Sequence, residues 1–114
     1  MRWKLGLAAF LSPSMLVAVA LAQTPPSDTV KAVVAKGATF ASQGRSYDFI
    51  AKGDGAYSDK AGKQVGTYRV DGRQLCMTPT TFGRELCFTF PDGKKSGDTF
   101  MADSESGGAS VTIG

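Results

Sequence analysis

The chain has 114 residues, with 13 basic and 10 acidic side chains, two cysteines and no histidine. A chain of this length accommodates one small domain. The lack of histidine excludes catalytic pairs of serine or cysteine with histidine, and it removes the commonest protein ligand for transition metals. We therefore predict a protein that is not an enzyme, with no catalytic residues, no cofactor and no metal site.

The N-terminus has the three parts of a secretion signal. A basic stretch, Met1–Lys4, precedes an apolar run that extends to Ala22, and Ala20 and Ala22 are small residues of the kind that a signal peptidase reads. An uncleaved membrane anchor is the alternative, but Ser12–Ser14 contains a proline that would break a spanning helix. We predict that residues 1–22 are a signal peptide, that the protein is periplasmic or secreted, and that it has no stable membrane insertion after cleavage.

Cleavage would remove most of the chain's basic character. The 92 residues from Gln23 onward carry 11 basic and 10 acidic side chains, so their net charge is +1. A nucleic-acid-binding protein should carry a basic face or a run of basic residues. Lys94 and Lys95 form the only adjacent basic pair in this part of the chain. Nucleic acid is therefore not an expected partner, and an unidentified protein or small molecule remains.

The rest of the sequence divides into an N-terminal segment, residues 23–36, and a β domain, residues 37–114. Ser27 and Asp28 can cap a short helix over Thr29–Lys36, and Gly37 is its stop signal. Beyond Gly37, turns rich in glycine and aspartate separate short β-type segments, which predicts an all-β fold: a small antiparallel meander or an up-and-down barrel of about eight strands. These segments are 38–41, 46–51, 56–58, 65–70, 74–78, 85–90, 99–102 and 109–113.

Cys76 and Cys87 are predicted to form a disulfide, because an oxidising compartment favours the bridge over two separate thiols. The closed loop would stabilise the domain by roughly 3 kcal/mol. If the two cysteines face each other across a hairpin, the apolar and polar neighbours separate onto opposite faces. The core face then carries the pairs Leu75–Phe88 and Met77–Leu86, and the outer face carries the cysteines with Gln74–Thr89 and Thr78–Glu85.

Aromatic residues recur at alternate positions of the predicted strands. We expect them to fill the interior of the sheet or barrel. A ligand pocket at the mouth of a small barrel is the alternative. The residues concerned are Tyr47, Phe49, Tyr57, Tyr68, Phe88, Phe90 and Phe100.

The carboxylates are predicted to serve structure and not chemistry. Asp54, Asp71 and Asp92 each precede a glycine, which is typical of turns. Calcium binding at residues 92–98 or 103–105 is the alternative, but neither stretch has the ligand spacing of a known calcium loop.

One part of the chain resembles a group of small, uncharacterised exported proteins of Proteobacteria, in which a Gly-Thr-aromatic strand is followed by a turn and a Leu-Cys strand. The resemblance rests on Gly55–Tyr57, Gly62, Gly66–Cys76 and Cys87. It implies a lipocalin-like or avidin-like meander and no transferable catalytic residues.

Three functions fit these features. The first is a periplasmic or secreted, non-enzymatic binding or envelope-accessory protein. The second is an inhibitor of a secreted metalloprotease or lysozyme, because the domain resembles small exported β-barrel inhibitors. In the metalloprotease-inhibitor family an N-terminal segment enters the enzyme's cleft. Residues 23–36 could offer such a segment. The third is a β-barrel that binds a small ligand.

Overall fold

The computed structural model describes residues 24–114 and contains one short helix followed by eight antiparallel strands. The predicted signal peptide and its cleavage site at Gln23 lie outside the described residues. The predicted all-β class and short N-terminal helix are confirmed, and every predicted strand is present with each end within one residue. The elements are α1 (Asp28–Lys36), β1 (Ala38–Ser42), β2 (Arg45–Ala51), β3 (Ala56–Ser58), β4 (Gln64–Asp71), β5 (Gln74–Pro79), β6 (Leu86–Thr89), β7 (Thr99–Ala102) and β8 (Ala109–Ile113).

Helix α1 begins and ends where its capping residues predict. The Ser27 side chain accepts a hydrogen bond from the Val30 N–H at 3.2 Å, which satisfies one of the free donors of the first turn. At the other end, Gly37 has a φ of +81° and donates its N–H to the Val33 carbonyl at 2.8 Å. Val30 and Val33 are fully buried, so this helix is held by packing against the core. It has nine residues, and nothing helical within residues 24–114 is both long and apolar enough to cross a bilayer.

The eight strands form an up-and-down barrel that is nearly closed. Each strand pairs with its sequence neighbours except that β6 and β7 form no ladder with each other, and β1 also pairs with β8, which gives the order β6-β5-β4-β3-β2-β1-β8-β7. The two outermost strands, β6 and β7, meet only at Thr89 and Asp103, whose backbones exchange hydrogen bonds of 2.8 and 3.1 Å. We call this narrow junction the seam.

The antiparallel order places the connections at two ends of the barrel. Helix α1 and the β2–β3, β4–β5 and β6–β7 connections lie at one end, which we call the helix end. The β1–β2, β3–β4, β5–β6 and β7–β8 connections lie at the opposite end, which we call the loop end. Val30 and Val33 of α1 join the hydrophobic core, so the helix covers part of the helix end.

Aromatic and aliphatic side chains fill the barrel interior, as the alternating pattern predicts. The Phe49 ring lies 5.2 Å from Tyr57 and 5.3 Å from Tyr68, centroid to centroid. The Phe40 ring contacts Phe88 at 5.2 Å, and Phe90 is fully buried. These contacts leave the interior occupied by the protein's own side chains.

Tyr47 is the exception to this prediction, because 54% of its surface is exposed. It is the cross-strand partner of the buried Phe40 and therefore belongs to the inner face. However, Tyr47 lies near the β1–β2 turn, at the loop end, and its side chain is exposed there, whereas that of Phe40 remains buried.

Candidate functional site

The β5–β6 hairpin has the register that the cysteines predict. Cys76 pairs with Cys87, Leu75 with Phe88, Met77 with Leu86 and Gln74 with Thr89. Leu75 and Met77 are buried, while Leu86 and Phe88 are half-buried. On β6 the ladder begins at Leu86, so the predicted Thr78–Glu85 pair is not formed. Glu85 instead contacts Arg69 of β4.

A disulfide joins Cys76 to Cys87 on the outer face of this hairpin, as predicted. Cys76 is nevertheless only 1% exposed. In the neighbouring strand β4, the cross-strand partner of Cys76 is Arg69. The Arg69 guanidinium donates two hydrogen bonds to the Glu85 carboxylate, Nε to Oε2 at 2.7 Å and Nη2 to Oε1 at 2.9 Å.

This bidentate ion pair lies over the disulfide. A Glu85 carboxylate oxygen lies within 4.8 Å of both sulfur atoms, which accounts for the burial of an outward-pointing cysteine. Hydrogen bonding and the positive charge of Arg69 hold the pKa of the Glu85 carboxyl below its ordinary value. The disulfide and the ion pair together connect β4, β5 and the start of β6.

Residues 80–85 connect β5 to β6, and the disulfide and the ion pair lie at the base of this connection. We call it the 80–85 loop. It begins with a tight turn, because the N–H groups of Phe82 and Gly83 both donate to the Pro79 carbonyl at 3.1 Å. The Thr80 N–H donates to the Val65 carbonyl at 2.8 Å and so ties the loop to β4. The loop therefore has a defined backbone at the loop end of the barrel.

The 80–85 loop presents an aromatic ring and a guanidinium to solvent. Phe82 is 57% exposed, which is unusual for so large an apolar side chain. The Arg84 guanidinium lies 5.8 Å from the centroid of the Phe82 ring, within the range of a cation–π contact. The sequence predicted that these residues lie in a loop between two strands, but it did not identify them as a binding site. The signal that could have identified them is an aromatic residue within a predicted turn.

The turn aspartates have structural partners. The Asp54 carboxylate accepts a hydrogen bond from the Ala56 N–H at 3.3 Å within its own turn. The Asp71 carboxylate accepts one from the Thr24 N–H at 3.3 Å, and Asp92 pairs with Arg73 at 3.5 Å. These contacts agree with the predicted structural role of the three aspartates.

The residues considered as calcium ligands also have local partners. Asp98 accepts a hydrogen bond from the Lys95 N–H at 2.9 Å, and Ser104 donates its hydroxyl to the Gly107 carbonyl at 2.6 Å. Within residues 24–114, one group of three potential metal-ligand side chains converges: Cys76, Glu85 and Cys87. Both sulfurs of that group are held in the disulfide, so it offers no thiolate for a metal.

The N-terminal segment is attached to the barrel. The Ser27 N–H donates to the Gly72 carbonyl at 2.9 Å, and the Gly72 N–H donates to the Thr24 carbonyl at 3.1 Å. Helix α1 follows at once and buries two valines. Residues 24–36 are thus an integral part of the fold and not a projecting arm.

Comparison of the chain with models of protein families, with curated proteins and with solved structures found no match.

Proposed function

We propose that this protein is exported to the periplasm or beyond the cell and acts there as a non-enzymatic binding or envelope-accessory module. The signal-like pattern of residues 1–22 and the disulfide support export, because disulfides persist in oxidising compartments. The lack of histidine and the structural partners of the turn aspartates favour binding over catalysis.

The exposed 80–85 loop carries this proposal. Aromatic and arginine side chains dominate the binding energy of protein interfaces, and Phe82 and Arg84 bring one of each together. A loop whose backbone is already ordered loses less conformational entropy on binding. The Cys76–Cys87 disulfide and the Arg69–Glu85 ion pair supply that order at the base of the loop. The expected partner is a protein with an apolar pocket that accepts Phe82 and an acidic or aromatic rim for Arg84.

Inhibition of a secreted hydrolase is the second candidate, and the same loop favours it. An inhibitor needs an ordered, exposed element that enters an enzyme's cleft, and the 80–85 loop combines a hydrogen-bonded backbone with the exposed Phe82. Residues 24–36 are bound to the barrel and are poorly placed to act as a projecting segment. If the protein inhibits a metalloprotease or lysozyme, we therefore expect the inhibitory contact to come from Phe82 and Arg84.

Affinity capture tests both candidates. The full chain, expressed with its own signal and purified from the periplasm, is immobilised and exposed to periplasmic extract and culture supernatant. We expect the wild type to capture a protein stoichiometrically, Phe82→Ser to capture far less of it, and Met101→Ser to capture as much as the wild type. Met101 is a suitable control because it is 60% exposed but lies on β7, in a different element. Capture that is equal for both variants would contradict the proposal.

Enzyme assays on the captured partner then separate the two candidates. Stoichiometric loss of proteolytic or lytic activity on addition of the protein would support inhibition. A partner without hydrolase activity would support the accessory role.

A further inference from the structure

An apolar cleft of about 240 Å³ lies at the helix end, between α1 and β4. Helix α1 packs against β2 and β8. A gap remains on its other side, towards the inner face of β4. The walls of this gap are Pro26, Lys31, Val34, Ala35, Tyr68 and Val70.

The cleft combines apolar walls with one positive charge. Tyr68 and Val70 are half-buried on β4, and Val34 and Ala35 form the facing surface of α1. Lys31 is the only charged residue in the lining, and among residues 24–114 no carboxylate oxygen lies within 4.0 Å of its ammonium. A lysine at the edge of an apolar cleft complements a molecule with an anionic head and an apolar tail.

We propose that this cleft binds a small free carboxylate with a short apolar tail, such as a medium-chain fatty acid. The tail packs between α1 and β4, and the carboxylate pairs with the Lys31 ammonium. The size of the cleft agrees with such a ligand, because it exceeds the roughly 150 Å³ that holds benzene and is smaller than the roughly 300 Å³ of the smallest drug-sized pockets.

This site is independent of the 80–85 loop. Aromatic residues occupy much of the barrel interior, and the cleft lies outside it, beside α1. The cleft instead exists because α1 covers the helix end unevenly. Loss of ligand binding here would leave the proposed protein partner unaffected, and the two proposals can fail separately.

Titration of octanoate into ¹⁵N-labelled protein tests the proposal. The protein is purified from the periplasm of cells that express the full chain. We expect saturable shifts of the amide signals of Val34, Ala35, Tyr68 and Val70. Octyltrimethylammonium, which has an alkyl tail of similar length and the opposite charge, should bind at least tenfold more weakly. Signals that do not saturate, shifts centred elsewhere, or equal affinity for the cation would overturn the proposal.

Two variants and one control locate the contact. Lys31→Gln should weaken octanoate binding by about two- to fivefold and leave octan-1-ol binding unchanged, because an exposed ion pair contributes modestly. Lys63→Gln removes an exposed lysine outside the cleft and should have no effect. Ala35→Trp should fill the cleft and abolish binding of both compounds, with a well-dispersed spectrum as the check that the variant is folded. Equal octanoate affinity of the Lys31 and Lys63 variants would contradict the assigned head-group contact.

Vesicles of phosphatidylglycerol distinguish a free ligand from a lipid surface. We expect them to cause no shifts at the cleft. Shifts caused by the vesicles and not by octanoate would overturn the assignment to a free carboxylate.

Discussion

Gly66 shows how closely strands β4 and β5 approach each other. It is buried and pairs with Pro79, and a methyl group added at Gly66 would collide with the Thr78 carbonyl and the Pro79 Cα. Backbone atoms in a paired ladder cannot move aside as a flexible side chain can. The glycine in the Gly-Thr-aromatic strand is therefore required by packing at this position.

We predict that Gly66→Ala destabilises the protein by about 1–3 kcal/mol, the usual cost of overpacking. Urea denaturation followed by circular dichroism measures the change. Gly53→Ala is the matched control, since its added methyl meets nothing within 4 Å and its backbone is not in the left-handed region. It should change the free energy of unfolding by no more than about 0.5 kcal/mol. Equal effects of the two substitutions would show that the strands do not approach as described.

At the scale of elements, the β5–β6 hairpin depends on two links between strands, one covalent and one electrostatic. The disulfide holds β5 to β6, and the Arg69–Glu85 pair extends from β4 to the residue before β6. The ion pair is largely solvent-exposed, so it contributes little to global stability. Its main effect is to fix the base of the 80–85 loop.

The Glu85 ion pair makes a pH-dependent contribution. Its pKa in the folded protein is below the ordinary value of 4.5, so the stabilisation is present above pH 4.5 and is lost as the pH falls through the folded-state pKa. We predict that Glu85→Gln lowers the urea midpoint at pH 7 and that this difference narrows steadily below pH 4.5. Glu105→Gln is the control for the loss of one negative charge, because within residues 24–114 Glu105 has no ion-pair partner within 4.0 Å. A difference that grows towards acidic pH would contradict the ion pair.

Much of this hairpin could be predicted because its information is local. Alternation placed Leu75 and Met77 on the core face, and the two cysteines fixed the register. The break between segments 38–41 and 46–51 was predicted correctly, but the conformation of the β1–β2 turn was not, because Gln43, with a φ of +53°, is not a typical residue for the left-handed region. There the pairing of the strands imposes the turn, and Gly44 supplies the second left-handed residue.

The candidate sites were less predictable. The Arg69–Glu85 pair joins residues that are 16 positions apart in the sequence. Predicting this contact would have required both the β4–β5 and the β5–β6 registers. Exposure of Phe82 depends on how the loop turns after Pro79. The cleft beside Val34 depends on how α1 covers the barrel, which no local pattern encodes.

For the whole molecule, the near closure of the barrel defines the setting of the site. Pairing of β1 with β8 brings the two ends of the β domain together, and within residues 24–114 a single backbone bridge, between Thr89 and Asp103, closes the seam. A small domain of this kind gains from a covalent link, which an oxidising compartment supplies.

The proposed export has a direct chemical readout. We predict that N-terminal sequencing of the protein from the periplasm or medium begins at Gln23, because signal peptidase should cleave after the small residue Ala22. Full-length protein that begins at Met1 in the membrane fraction would contradict cleavage and support the anchor alternative.

The role of the 80–85 loop is tested most directly by the affinity of the captured partner for three purified proteins: the wild type, Phe82→Ser and Met101→Ser. Calorimetric titration gives each dissociation constant. If Phe82 is the anchor of the interface, its removal should weaken binding by at least about 30-fold, the equivalent of about 2 kcal/mol for an interface hot spot. Met101→Ser should bind as the wild type does. Equal affinities of all three proteins for the partner would contradict recognition through the loop.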